Sequence, residues 1–260
     1  MKTFENLLRN KLHNRLVTGT YVTIADPVVS QLLGYMGYDF IWIDTEHTPV
    51  DYHQLRAHLD AVRLAGTSSV VRVGIGEQAH VKRVLDMGPD GIIFPMINTL
   101  EEAEQAMSLC LYPPEGKRGW GPLRAVDYYC RDTMEFIDRH KEALVRFVQI
   151  ETEQAVKNLP EILKNPYIDG YIIGPSDLSG SVGELGNSFG KRTMQLVEEA
   201  VGILKAAGKP VGIATFSADE QELNFWYRMG FDIISSGVDF AYLKQGAMNN
   251  LEILRNLDTH

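Results

Sequence analysis

Four short segments of this sequence gather residues that bind cations, hold anions or move protons: Asp44-Thr45-Glu46-His47, Val70-Val71-Arg72, Gln149-Ile150-Glu151 and Gly174-Pro175-Ser176-Asp177. Glu151 and Asp177 supply oxygen donors only. Two such ligands, with room left for water and a substrate, suit Mg2+ or Mn2+, whereas zinc would want more His or Cys. A fixed guanidinium at Arg72 could hold an anionic substrate and stabilise an oxyanion. His47, beside two acids and ahead of Pro49, has the setting of a tuned acid/base residue. Each also has a plainer reading. Glu151 could open the next helix, where a carboxylate suits the dipole, and Asp177 could cap a turn. Arg72 could pair with Glu46, and His47 could be a solvated loop residue.

What sets the four segments apart is where the chain pattern puts them. Eight apolar, β-rich runs alternate with segments of helical period: Val17–Val22, Phe40–Asp44, Val70–Val73, Gly91–Pro95, Val145–Ile150, Gly170–Ile173, Pro210–Ile213 and Asp232–Ser235. They are short and lack strict alternation, as strands buried on both faces do. Asp26-Pro27 reads as an N-cap followed by proline at N1, and Thr99-Leu100-Glu101-Glu102 and Ser217-Ala218-Asp219-Glu220 as capping boxes. Eight β/α repeats in 260 residues point to one domain, residues 1–260, closed as an α/β (β/α)8 barrel of the TIM type, with a doubly wound open sheet as the alternative. A helix over Phe4–Leu16 would precede the first strand, and residues 112–143 would form an insertion. In such a barrel the reacting groups sit at the C-terminal ends of the strands. The second, third, fifth and sixth runs deliver the four polar segments there, and adjacent fifth and sixth strands would hold Glu151 and Asp177 over one mouth.

Composition narrows the partners. A net charge of -9 with no compensating Lys/Arg cluster argues against nucleic acid or an anionic membrane. No apolar run approaches the ~20 residues that span a bilayer, and the polar first fifteen residues show no secretory signal. Cys110 and Cys130, without CxxC spacing, suggest reduced thiols and a cytoplasmic location. Gly74-Ile75-Gly76 lacks the third glycine of a dinucleotide fingerprint. No strand end carries the lysine that a Schiff-base aldolase requires.

The ordered motifs Asp44-Thr45-Glu46-His47, Val70-Val71-Arg72, Val84-Leu85-Asp86-Met87-Gly88, Ile93-Phe94-Pro95-Met96, Tyr112-Pro113-Pro114-Glu115-Gly116-Lys117-Arg118-Gly119, Gln149-Ile150-Glu151-Thr152 and Ile173-Gly174-Pro175-Ser176-Asp177-Leu178-Ser179 resemble the HpcH/HpaI aldolase family. The likeness runs from about residue 16 to 255. It implies a phosphoenolpyruvate/pyruvate-type TIM barrel that exchanges its eighth helix between subunits, usually in a hexamer. It also implies a class II aldolase that converts a 4-hydroxy-2-oxo acid to pyruvate and an aldehyde through a metal-stabilised enolate. By the same match a divalent cation (Mg2+, Mn2+ or Co2+) is held by Glu151 and Asp177, Arg72 contacts the keto oxygen, and His47 acts as base or proton relay near a metal-bound water, oriented and tuned by Asp44 and Asp86. Pyruvate's carboxylate would lie against Gly174, Pro175 and Ser176, at a helix N-terminus that favours anions. Thr45 and the Trp120-Gly121-Pro122-Leu123-Arg124 stretch depart from the family pattern, which leaves the aldehyde open. A related carbon–carbon lyase or an oxaloacetate-type decarboxylase would share the enolate but not the acceptor. The apolar stripe Phe240, Leu243, Ala247, Leu251 and Leu254, at three- and four-residue spacing, fits either packing on its own barrel or exchange within a homo-oligomer.

Overall fold

A computed structural model describes residues 4–12, 14–74 and 78–257. Eight parallel strands close into a barrel in chain order, with β8 paired to β1: β1 (Val17–Val22), β2 (Phe40–Asp44), β3 (Ser68–Arg72), β4 (Gly91–Phe94), β5 (Val145–Ile150), β6 (Gly170–Ile173), β7 (Val211–Ala214) and β8 (Ile233–Val238). The closed (β/α)8 barrel expected from the apolar runs is therefore what the chain forms. The strand bounds shift by a few residues, for local reasons. Pro95 and Pro210 have no N–H to give a ladder, so β4 ends before the one and β7 begins after the other. Gly76 and the loop position it was read from lie outside the described residues.

Helices α1 (Leu7–Lys11), α2 (Pro27–Tyr35), α3 (Tyr52–Ala65), α4 (Gln78–Asp86), α5 (Leu100–Cys110), α6 (Thr133–Arg139), α7 (Glu153–Ile162), α8 (Pro175–Ser181), α9 (Lys191–Ala206), α10 (Glu220–Met229) and α11 (Asp239–Leu257) complete the chain. Their starts follow the capping logic of the sequence. Asp26 caps α2 ahead of Pro27, and Thr99 and Glu102 close a capping box on α5. The serine read as the cap of α10 is displaced by Asp219, whose carboxylate takes the Glu222 amide.

The helix expected over Phe4–Leu16 is shorter. Asn6 caps α1, which drives Leu8 and Leu12 into the barrel interior beside Phe40, Trp42, Val70, Phe147 and Ile233. Beyond α1 the chain is drawn back toward the strands, where Lys11 and Arg15 both pair with the buried Asp39 carboxylate. The bottom of the barrel is thus plugged by apolar side chains, and the polar cavity is left at the opposite mouth. The insertion holds a 3-10 turn, Arg124–Tyr129, and α6.

The final helix behaves differently from the rest. Along α11 only Asp239 is buried, while Phe240, Leu243, Met248, Leu251, Ile253, Leu254 and Leu257 are exposed. The apolar stripe seen in the sequence does not pack on its own barrel. No helix among the described residues is long and apolar enough to cross a membrane.

Barrel closure leaves little spare volume inside. Gly19 lies in register with Phe40 on β2, and a Cβ at Gly19 would fall within the Phe40 ring. Gly19→Ala should destabilise the protein by about 1–3 kcal/mol, the usual cost of overpacking a closed core. The check is the urea midpoint, which should fall with the slope unchanged; a wild-type midpoint would mean the ring has room to move.

Candidate active site

The site begins with two side chains on neighbouring strands. Asp44 closes β2 and Arg72 closes β3, and the two are register partners. Arg72 Nε and Nη2 donate to Asp44 Oδ1 and Oδ2 at 2.9 and 2.8 Å, a two-pronged pair that is almost fully buried. The guanidinium also lies 5.4 Å from the centre of the Trp42 ring, and its Nε is 3.3 Å from Glu46 Oε2. Burial works against the charge on Arg72, but the bonds and charge of Asp44 outweigh it and its pKa is raised further. The next residue along, His47, is mostly exposed and stands 3.5 Å from Glu46 Oε2.

Across the mouth, β5 ends at Gln149 and Ile150 and delivers Glu151. Gln149 Nε2 donates to Glu151 Oε1 at 2.6 Å and the Met96 amide donates to Oε2 at 3.1 Å. Met96 reaches that position with a φ of 52°, a left-handed conformation that a methionine adopts only at a cost. Burial pushes the Glu151 carboxyl up to about 7, against the Met96 amide, and the Asp177 carboxylate adds to the rise. Gly174 closes the turn after β6 because no side chain fits there: a Cβ would meet Glu151 Cγ at 2.9 Å. Helix α8 then starts with Pro175 and carries Asp177 in its first turn.

A cavity of about 520 Å³ joins these groups, lined among others by Asp44, His47, Arg72, Glu151, Gly174, Ser176 and Asp177. Pro175, between Gly174 and Ser176 in the chain, is buried. Within this chain the two acids expected to orient His47 have other partners. Asp44 is committed to Arg72, whose full charge and two donors hold it, so the acid beside His47 is Glu46. Asp86 does not reach the cavity within this chain; it ends α4 and pairs with Arg118 at 3.5 Å.

The donor set fits a hard divalent cation. Among the described residues no group of three His, Cys, Asp or Glu side chains is close enough to hold a metal. Glu151 and Asp177 instead form an all-oxygen pair whose mutual repulsion contributes to the raised Glu151 pKa, and a cation between them would relieve it. The buried Gln149 Oε1 beside Glu151 has no partner.

Other contributors were not legible in the sequence. Tyr21 of β1 lies tilted against Trp42 at 4.7 Å and meets Phe216 edge-on at 5.0 Å, forming an aromatic wall. Thr45 donates to the Arg72 carbonyl at 2.6 Å and contacts His80 Nε2 at 3.0 Å, while His80 Nδ1 contacts the Tyr52 hydroxyl at 3.0 Å. The Thr45 proton is given to a carbonyl, so its oxygen accepts from His80 Nε2–H. This network ties the loop bearing Glu46 and His47 to α3, α4 and the end of β3. His80 had no feature in the sequence that separated it from the other helical histidines.

The fold and the site define a barrel enzyme with its reacting groups gathered at the C-terminal strand ends. The family described as HpcH/HpaI aldolase/citrate lyase matches residues 17–245. Among curated relatives, a hydroxypyruvate/pyruvate aldolase of Roseovarius nubinhibens is 32% identical over 243 residues, covering 94% of each chain. A 4-hydroxy-2-oxo-heptane-1,7-dioate aldolase of Klebsiella pneumoniae is 33% identical over 229 residues, covering 88% of this chain and 86% of its own. Among solved structures, a HpcH/HpaI aldolase/citrate lyase family protein from Burkholderia cenocepacia superposes with a TM-score of 0.90 at 27% identity, covering 96% of this chain and 99% of that one. The chain belongs to the HpcH/HpaI aldolase family, as its ordered motifs implied, and is a carbon–carbon lyase.

The raised Glu151 pKa has a measurable consequence in protein stripped of metal. With a carboxyl at about 7 when folded and near 4.5 otherwise, the folded state holds a proton that the unfolded chain has released between those values. That contribution is present below about 4.5 and is lost as the pH rises through about 7. Glu151→Gln removes the ionisation, and Gln149 can turn its amide to meet the new one. The variant should therefore gain in urea midpoint over wild type at pH 8 in EDTA, with no comparable gain at pH 4.5. An equal shift at both values would show that Glu151 is not the group concerned.

Proposed function

We propose that this enzyme is a divalent-metal-dependent class II aldolase that cleaves a 4-hydroxy-2-oxo acid to pyruvate and an aldehyde and runs the reverse addition. The observation that carries the reading is the facing of the Glu151/Asp177 carboxylate pair and the immobilised Arg72 guanidinium across one cavity, with His47 lining it. A Mg2+, Mn2+ or Co2+ ion held by Glu151 and Asp177 would supply Lewis acidity toward the keto oxygen. Arg72, fixed by Asp44, would donate to the same oxygen as it gains charge, with no reorganisation needed at that moment. The backbone around Gly174, Pro175 and Ser176 would receive the pyruvate carboxylate at the start of α8. His47 would take the proton of the 4-hydroxyl group in cleavage and the methyl proton of pyruvate in the reverse direction, with Glu46 Oε2 3.5 Å from its Nε2.

His47 separates the two reactions that could share this enolate. Decarboxylation of oxaloacetate loses CO2 and needs no base at that step. His47→Ala should reduce aldol cleavage by roughly 10²–10⁴ while any oxaloacetate decarboxylation survives far better. Arg72→Ala should damage both. Near wild-type cleavage by His47→Ala would make the histidine a bystander. Removal of metal with EDTA should abolish cleavage, and Mg2+, Mn2+ or Co2+ should restore it. Full activity after stripping, with a lysine adduct trapped by borohydride, would place the enzyme in the other aldolase class.

The assembly reading rests on α11. Its exposed apolar face, together with exposed Val28, Leu32, Tyr35 and Met36 on and beside α2, supports a homo-oligomer in which α11 packs on a neighbouring barrel, with the hexamer of the family as the reference case. Light scattering at micromolar concentration should give a multiple of the chain mass; a monomer mass contradicts the exchange.

A further inference from the structure

We infer that the aldehyde taken by this site is a short, uncharged aldehyde bearing hydroxyl groups, and not one bearing a carboxylate; the inference rests on the aldolase reading above. Besides the carboxylate pair and Arg72, the cavity is lined by Thr23, Thr48, Thr215, Phe216 and Phe240. The protons of all three threonine hydroxyls are already placed. Thr23 Oγ1 donates to Asp239 Oδ1 at 2.7 Å, Thr48 Oγ1 to the Asp44 carbonyl at 2.5 Å and Thr215 Oγ1 to Glu222 Oε1 at 2.7 Å.

None of these acceptors has a proton to return. The Asp44 partner is a carbonyl. Asp239 takes the amides of Thr23, Ile24 and Phe240 on its two oxygens besides the hydroxyl, and Glu222 Oε1 also takes Trp226 Nε1. Thr215 Oγ1 accepts from the Ser217 amide as well, which leaves it one lone pair. What the threonines present to a guest is therefore lone pairs.

A carboxylate guest brings only lone pairs and a negative charge. With a cation offsetting Glu151 and Asp177, it would still meet the charges of Asp44 and Glu46, against which stand Arg72, which already pairs with both, and His47, beside Glu46. Such a guest lacks a donor and adds like charge. A guest with hydroxyls supplies the missing O–H donors, and its C–H face suits Phe216, which is braced edge-on by Tyr21. The three threonines are half-buried, and a guest that displaces water from their lone pairs without returning an O–H donor forfeits those hydrogen bonds, which is how a site built for hydroxyls disfavours analogues that lack them.

The test compares acceptors in the addition direction, with pyruvate and Mg2+ or Mn2+ and pyruvate consumption as the readout. Glyceraldehyde and glycolaldehyde should exceed succinic semialdehyde and glyoxylate in kcat/KM by about tenfold or more. Propionaldehyde serves as the hydroxyl-free reference. Thr215→Val should lower the glyceraldehyde-to-propionaldehyde ratio of kcat/KM roughly three- to tenfold, the worth of one hydrogen bond, and Thr215→Ser should keep it. Because both aldehydes meet the same protein, that ratio is insensitive to a general loss of folded enzyme and to the aldehydes' intrinsic reactivity. Carboxylate aldehydes that match or surpass glyceraldehyde, or a ratio untouched in Thr215→Val, overturn the inference while leaving the aldolase intact. Pyruvate consumption with none of the five aldehydes would instead fail the aldolase reading and the inference with it.

Discussion

Four carboxylates converge on one barrel mouth, and the arrangement is tolerable because Arg72 stands among them in a fixed position. Its two-pronged bond to Asp44 uses the register of parallel β2 and β3, which sets the two side chains side by side at the strand ends. A buried ion pair of this kind contributes little net stability, but breaking it by removing one partner costs about 3–5 kcal/mol because the other charge is stranded. Its value here is positional. With Asp44 taking two of its donors and Glu46 3.3 Å from its Nε, Arg72 is held at the strand ends, and Glu151 and Asp177 keep the surplus negative charge that a divalent cation would neutralise.

The rest of the mouth shows local costs accepted for the same end. Met96 takes a left-handed backbone so that its amide can reach Glu151, a distortion on the order of 1–3 kcal/mol. Gly174 gives up a side chain because Glu151 occupies the space. These costs are borne by a core that is closed at the far end: α1 inserts Leu8 and Leu12 beneath Phe40 and Phe147, so the interior is solid up to the polar layer. The site is held on strand ends and short turns above a rigid base.

The sequence made the strands legible because parallel strands buried on both faces are continuous apolar runs, and turn residues bound them. It also made most of the site legible, because polar residues directly after such runs can only be at one end of a barrel. Glu151, Asp177, Arg72 and His47 were all found that way, and the structure gathers them in one cavity. What it could not show was who pairs with whom. Asp44 was assigned to His47, three residues away in sequence, but register gives it to Arg72, twenty-eight residues away. Asp86 is drawn to Arg118 of the insertion. The Thr45–His80–Tyr52 network and the Tyr21–Phe216 wall join elements far apart along the chain, so neither spacing nor composition announces them. The same holds for the shortened α1, whose end depends on where the buried Asp39 sits.

The central claim is that this mouth makes a pyruvate enolate with the help of a cation held by Glu151 and Asp177. The most direct measurement follows the methyl protons of pyruvate by NMR in D2O with enzyme and no aldehyde present, which isolates enolisation from every later step. With Mg2+ or Mn2+ the wild type should exchange these protons, and the exchange should disappear in EDTA and in Asp177→Ala. Exchange that persists at the same rate without metal, or in Asp177→Ala, would contradict the account.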